Sequence, residues 1–142
     1  MTLRLEHAAA VAALSSPTIL VVLDADPALA KVGHHTVGDG FVETWWLPIV
    51  GPTSVVMLRC LASERCADDG IVDLGVLAAA LGLGKGTGPN SPVVLTLARL
   101  AGFGLIRVTA GAPPVVTVPL LLPPFPDRLR HRLPERLRAE AL

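Results

Sequence analysis

Apolar residues recur at helical spacing in two segments of the second half of the chain. Leu74, Leu77, Ala78 and Leu81 share one face, and Val94, Leu97, Ala98, Leu100 and Ala101 share another. Gly82 and Gly84 close the first segment and Gly102 and Gly104 the second, since glycine turns left-handed at a helix end without strain. Ser91-Pro92 opens the second helix. The serine oxygen is placed to accept from a free backbone N–H, and proline at the first helical position forfeits no bond. Residues 105–109 then predict a strand, 110–114 a turn and 115–121 a returning strand. Pro119 cannot donate to a ladder, which predicts that the returning strand lies at an edge.

The first half is patterned more loosely. Residues 3–14 predict a short alanine-rich helix, and the β-branched run Thr18-Ile19-Leu20-Val21-Val22-Leu23 a buried strand. Asp24-Ala25-Asp26-Pro27 is turn chemistry, followed by a helical piece to about Val32. Residues 34–37 and 41–46 flank Gly38-Asp39-Gly40 and predict a hairpin. Pro52 begins a helix to about Arg65, with Val55, Val56, Leu58, Leu61 and Ala62 turned inward. Ile71-Val72 adds a short strand beside the later hairpin. After a stiff proline connector at 123–126, Leu129, Leu133, Leu137 and Ala141 stripe a terminal helix that Pro134 splits in two.

The phrase LAAALGLGKG…SPVVLTLARLAGFGLIRV resembles a winged helix-turn-helix, whose members often read LAxxLGL…S…LxxLxxxGLI. Ala78, Ala79 and Ala80 let helices approach closely, and Gly104-Leu105-Ile106 matches the exit into the wing. The loop from Gly82 to Asn90 is longer than the tight turn of the simplest forms. Trp45-Trp46-Leu47-Pro48-Ile49-Val50-Gly51-Pro52-Thr53 is similar, over some ten residues, to the entry of the winged helix in DnaD/DnaB-type replication initiation proteins. The resemblance implies an α+β fold: a winged helix-turn-helix core of three helices and a hairpin wing over 48–122. A small mixed α/β extension over 1–47, acting as a dimerisation element, precedes it. A proline connector and C-terminal helix over 123–142 complete the chain.

Composition bears on function more than on fold. Half the residues are hydrophobic (51%) and only 4% aromatic, so 142 residues can bury one aliphatic core. Arginine far outnumbers lysine, which with abundant Ala, Gly and Pro points to a bacterial, GC-rich genome. Formal net charge is zero, where a nucleic-acid binder is usually basic. The charge is polarised, however: residues 1–50 carry two basic and five acidic side chains, and residues 101–142 six and three. Cys60 and Cys66 sit six apart on a helix and suggest neither zinc nor a disulfide, as expected of a cytoplasmic protein. No signal peptide or membrane span is read, and no membrane partner is expected.

Little of the chain reads as catalytic. Gly84-Lys85-Gly86-Thr87 echoes the end of a phosphate loop, but a helix precedes the lysine and Pro89 blocks a helix directly after it. His34-His35 would point to opposite sides of a strand, and no third ligand lies near, so no metal is expected. Asp24 and Asp26 are explained as turn caps. No nucleophile–base arrangement stands out, so the chain reads as non-enzymatic, with no cofactor.

The expected function is therefore DNA binding by a winged helix, as a transcription regulator. The helix opened by Ser91 would enter the major groove with Leu95, Thr96 and Arg99 outward and Asn90 and Ser91 at its phosphate-favouring N-terminus. Lys85 in the loop and Arg107 in the wing would hold phosphate. Arg128, Arg130, Arg132, Arg136 and Arg138 are the densest basic cluster and either contact DNA or form the wet face of the terminal helix; the second is favoured because Asp127, Glu135 and Glu140 are interleaved. The alternative is a winged-helix adaptor with little or no DNA affinity, serving replication or a phage or plasmid process. It would bind another protein, or itself as a homodimer, through the N-terminal third. Trp45 and Trp46 would form that interface: on a strand they point to opposite sides, one into the core and one to the partner. Double-stranded DNA is the partner of the first reading and protein that of the second.

Overall fold

A computed structural model of the chain describes residues 3–24, 35–38, 40–63, 69–122 and 125–140. The architecture is α+β, with helices packed on a four-stranded mixed sheet in a winged-helix-like arrangement. Helix α1 (Leu3–Ala13) leads into β1 (Thr18–Asp24), and β2 (His35–Thr36) follows. A π-helical turn (Val42–Trp46) runs directly into α2 (Leu47–Val50), and α3 (Pro52–Ala62) comes next. Then come β3 (Ile71–Asp73), α4 (Leu74–Ala80), α5 (Pro92–Gly102), β4 (Arg107–Thr109), β5 (Val115–Pro119) and β6 (Leu121–Leu122). A 3-10 helix (Asp127–Arg132) and α6 (Glu135–Glu140) close the chain, parted at Pro134 as predicted. The helical piece predicted to Val32 lies outside the described residues, as do Asp26, Lys31, His34, Cys66 and Ala141.

The sheet order is β3-β1-β5-β4. Strand β1 pairs antiparallel with β3, Ile19 opposite Val72, and parallel with β5, from Leu20–Val115 to Asp24–Pro119. Strands β4 and β5 form the predicted hairpin, Arg107 opposite Thr117. Two expectations fail in this sheet. Ile71-Val72 lies beside β1, not beside the hairpin, and β5 is an interior strand despite Pro119. The reason is register. Pro119 holds the last position of the pairing with β1, and the next ladder bond, Leu120 N–H to Asp24 O, steps past it. Ladder directions alternate along a strand, so the proline nitrogen faces the β4 side, where pairing has already ended at Thr117.

Residues 41–46 are helical, not the second arm of a hairpin, and β2 pairs instead with β6. The physical cause is visible in the side chains. Phe41, Val42, Trp45, Trp46, Ile49 and Val50 recur in pairs every four residues, which is a helical repeat, and Val42, Trp46, Ile49 and Val50 are buried.

The core is aliphatic. Ile19, Val116 and Val118 of the sheet are buried with Met57, Leu58 and Leu61 of α3, Leu74, Leu77 and Ala78 of α4, and Val94, Leu97, Ala98 and Leu100 of α5. Both α1 and α3 pack on α5. In α3 the inward set is Val55, Leu58 and Leu61 with Met57; Val56, predicted inward, is exposed. Among the described residues no helix is long and apolar enough to cross a membrane.

Candidate functional site

The two helices of the helix-turn-helix pattern end in the same way. After α4, Gly82 takes φ +70°, its N–H donates to Ala79 O, and Leu83 N–H reaches Ala78 O. After α5, Gly104 takes φ +77°, its N–H donates to Ala101 O, and Leu105 N–H reaches Leu100 O. These paired bonds satisfy carbonyls that a helix end leaves open. At the start of α4 the carboxylate of Asp73 accepts from Val76 N–H at 3.0 Å, a cap the sequence carried in its residue type.

The start of α5 is built differently from expectation. Pro92 is at the first position, as predicted. The Ser91 hydroxyl, however, makes no cap bond to the helix: it donates to Gly88 O at 2.6 Å and closes the loop. One turn on, the Thr96 hydroxyl donates to Pro92 O at 2.7 Å, so it too is bonded to its own backbone. Leu95 is exposed at 39%, an apolar side chain facing out from the middle of the presumed reading surface. Lys85 and Asn90 are exposed on the approach loop.

Arg99 lies along the surface and reaches α2. Its Nε donates to Val50 O at 3.1 Å and a terminal nitrogen donates to Ile49 O at 2.9 Å. These are the last carbonyls of α2, which lack helical partners. Arg99 therefore ties α5 to the end of α2, a contact between residues about fifty apart that no local pattern signals. Its guanidinium also lies 5.8 Å from the centre of the Phe103 ring, and that of Arg132 lies 5.6 Å from the same ring.

Arg107 sits apart from this face. It lines a groove of about 600 Å³ with Glu6, Ala9 and Ala10 of α1, Asp24, and Ala101 and Gly104 at the end of α5. Of the predicted residues, then, the fold brings Leu95, Thr96 and Arg99 along one helix, with Ser91 just before its first residue and Lys85 and Asn90 on the approach loop, and places Arg107 in the groove.

Trp45 and Trp46 share one aromatic cluster. Phe125 meets Trp46 edge-on at 5.0 Å and Trp45 at 5.9 Å between ring centres, and Phe41 lies 6.5 Å from Trp45. Trp46 is 2% exposed, so its surface is used up inside this chain, and its indole N–H has no hydrogen-bond partner among the described residues; Trp45 is half-buried. Their opposite-sides geometry does not arise, because the backbone there is helical.

No known family's sequence model matches the chain, and no curated protein matches it. Among solved structures the fold is similar to that of the primosome protein DnaB, residues 1–300, from Geobacillus stearothermophilus. The TM-score is 0.54 at 17% identity, over 91% of this chain and 50% of the other, so the chain spans about half the length of that structure. The likeness concerns architecture. It agrees with the replication-protein resemblance of the Trp45–Thr53 phrase at that level.

Proposed function

We propose that this chain is a winged-helix-like, non-enzymatic interaction module of a replication-initiation assembly, and that the N-terminal face of α5 docks another protein chain. A second copy is the first partner to test. The observation that carries this reading is the state of the side chains on α5. Of those suited to reading bases, the Ser91 and Thr96 hydroxyls are spent on the chain's own carbonyls and Arg99 is tied in part to Ile49 and Val50, while an apolar side chain, Leu95, is exposed among them. A base-reading helix needs free donors and acceptors; a docking helix needs an exposed apolar side chain. The fold similarity to a primosome protein supports the setting.

Leu95→Glu is the test. It should leave the thermal melt nearly unchanged, since the position is exposed, and should abolish concentration-dependent association in sedimentation. A strictly monomeric wild type would remove self-association. Enrichment of a defined motif from random duplex DNA would overturn the docking reading.

The second reading is a DNA-binding regulator. It is favoured by the exposed Lys85, Asn90 and Arg107, none of which makes an ion pair or side-chain hydrogen bond within the described residues. Under that reading Lys85→Gln and Arg107→Gln would each flatten the salt dependence of duplex binding.

A further inference from the structure

The C-terminal end of α5 carries a different chemistry from its start. We propose that Arg99, Phe103 and Arg132 form a sequence-independent site for the phosphodiester backbone of nucleic acid. This site adjoins the Leu95 face, about one helical turn away, but uses charged side chains that the docking reading does not.

Four observations assemble it. First, the two guanidiniums lie 5.8 and 5.6 Å from the centre of one half-buried phenyl ring. Second, both arginines are exposed, and neither has a carboxylate within ion-pair distance among the described residues. The nearest acidic residue in sequence that makes a pair, Asp127, is taken by Arg130 at 2.9 Å. Third, Arg99 is fixed. Two of its five N–H groups are held by the carbonyls of Ile49 and Val50, which orient the fork without neutralising its charge. Fourth, Arg132 is delivered by an anchored segment, since Leu129 and Leu133 on either side of it are buried.

Two like charges gathered on one ring repel each other. Cation–π attraction at exposed positions offsets this only weakly. A polyanion spanning both forks removes the repulsion. Guanidinium forks match phosphate bidentately. Sequence-tolerant nucleic-acid sites likewise combine basic side chains that track the backbone with aromatic rings beside them. Both features favour nucleic acid over an acidic protein. The remaining donors of Arg99 and all five of Arg132 are available to phosphate.

The test is fluorescence anisotropy of the full chain with labelled duplex and single-stranded oligonucleotides of mixed sequence, titrated over salt, with poly-glutamate as the acidic-protein arm. Binding should be seen at low salt. Arg132→Gln should reduce the slope of log K against log salt by about 0.9 for duplex or 0.7 for single strand, and weaken binding on the order of tenfold at about 50 mM salt. Arg132→Lys should restore the slope but not the full affinity, because the charge returns without the fork. Lys85→Gln and Arg107→Gln should leave the slope unchanged. Arg132 is exposed, so an unaltered melting curve should accompany its variants. The inference is overturned if neither oligonucleotide binds, if Arg132→Gln binds as tightly as the parent, or if only poly-glutamate depends on Arg132.

Discussion

The first turns of α5 and the stretch from Arg99 onward carry different chemistry, although Leu95 and Arg99 lie only about one turn apart on the helix. At the start, the polar side chains are turned to local backbone: Ser91 to Gly88 and Thr96 to Pro92, with Leu95 exposed between them. At the end, Arg99 reaches across to α2 and meets Arg132 over Phe103, leaving uncompensated positive charge outside. Of the residues that a helix-turn-helix pattern nominates for reading on α5, only Arg99 keeps free charge, and it lies with Arg132 over Phe103. A short hydroxyl is captured by the nearest carbonyl, whereas a long guanidinium reaches distant ones and keeps further donors free.

The contrast depends first on α5 being phased as seen. Leu97 is fully buried at the middle of the helix, so Leu97→Ala should cost about 2–5 kcal/mol in urea unfolding. A loss well below one kcal/mol would mean that the faces assigned to Leu95 and Arg99 are misassigned as well.

A smaller effect probes the Arg99 end. Arg99→Ala removes both bonds to the α2 carbonyls and should cost about 1–2 kcal/mol. Arg132→Ala, which breaks no hydrogen bond among the described residues, should stay within about 0.5 kcal/mol. Equal losses in the two denaturation curves would show that Arg99 is no anchor.

The helix stops offer a control that ignores side-chain chemistry. At Gly82 and Gly104 an added Cβ meets nothing within 4 Å, so alanine there tests backbone conformation alone. Gly82→Ala and Gly104→Ala should each cost about 1–2 kcal/mol by thermal melting, the strain of a left-handed residue. A clearly larger loss at one of them would expose an asymmetry between α4 and α5 that the backbone does not display.

The smallest effect is expected at Thr96. Its hydroxyl serves only Pro92 O, so Thr96→Val should change stability by less than about 0.5 kcal/mol and leave any DNA affinity untouched. A marked loss of affinity would return the reading role to this face.

Period and punctuation make much of the fold legible. The helices of the second half, their glycine stops, Pro92 at the start of α5 and the β4–β5 hairpin follow from apolar spacing and from what glycine and proline permit. The segment 41–50 is equally periodic, yet Gly38-Asp39-Gly40 is turn chemistry and on local grounds favours a hairpin. The four-residue recurrence of its aromatic and aliphatic pairs is the stronger signal. Ser91 shows the limit of residue-type arguments: serine suits a helix cap, but the Gly88 carbonyl lies closer to hand.

Which segments coil, where most of them stop and which side chains the later helices bury are written in the order of the residues, because those choices rest on neighbours a few positions away. Other features exist only once the chain has folded. Strand β1 enters the sheet between β3 and β5, and Pro119 is tolerated in an interior strand. Trp46 packs on Phe125, and Arg99 caps α2 while sharing a ring with Arg132. Each of these joins residues far apart in the chain. Their partners are fixed by register and packing in three dimensions, for which a one-dimensional pattern carries no distance.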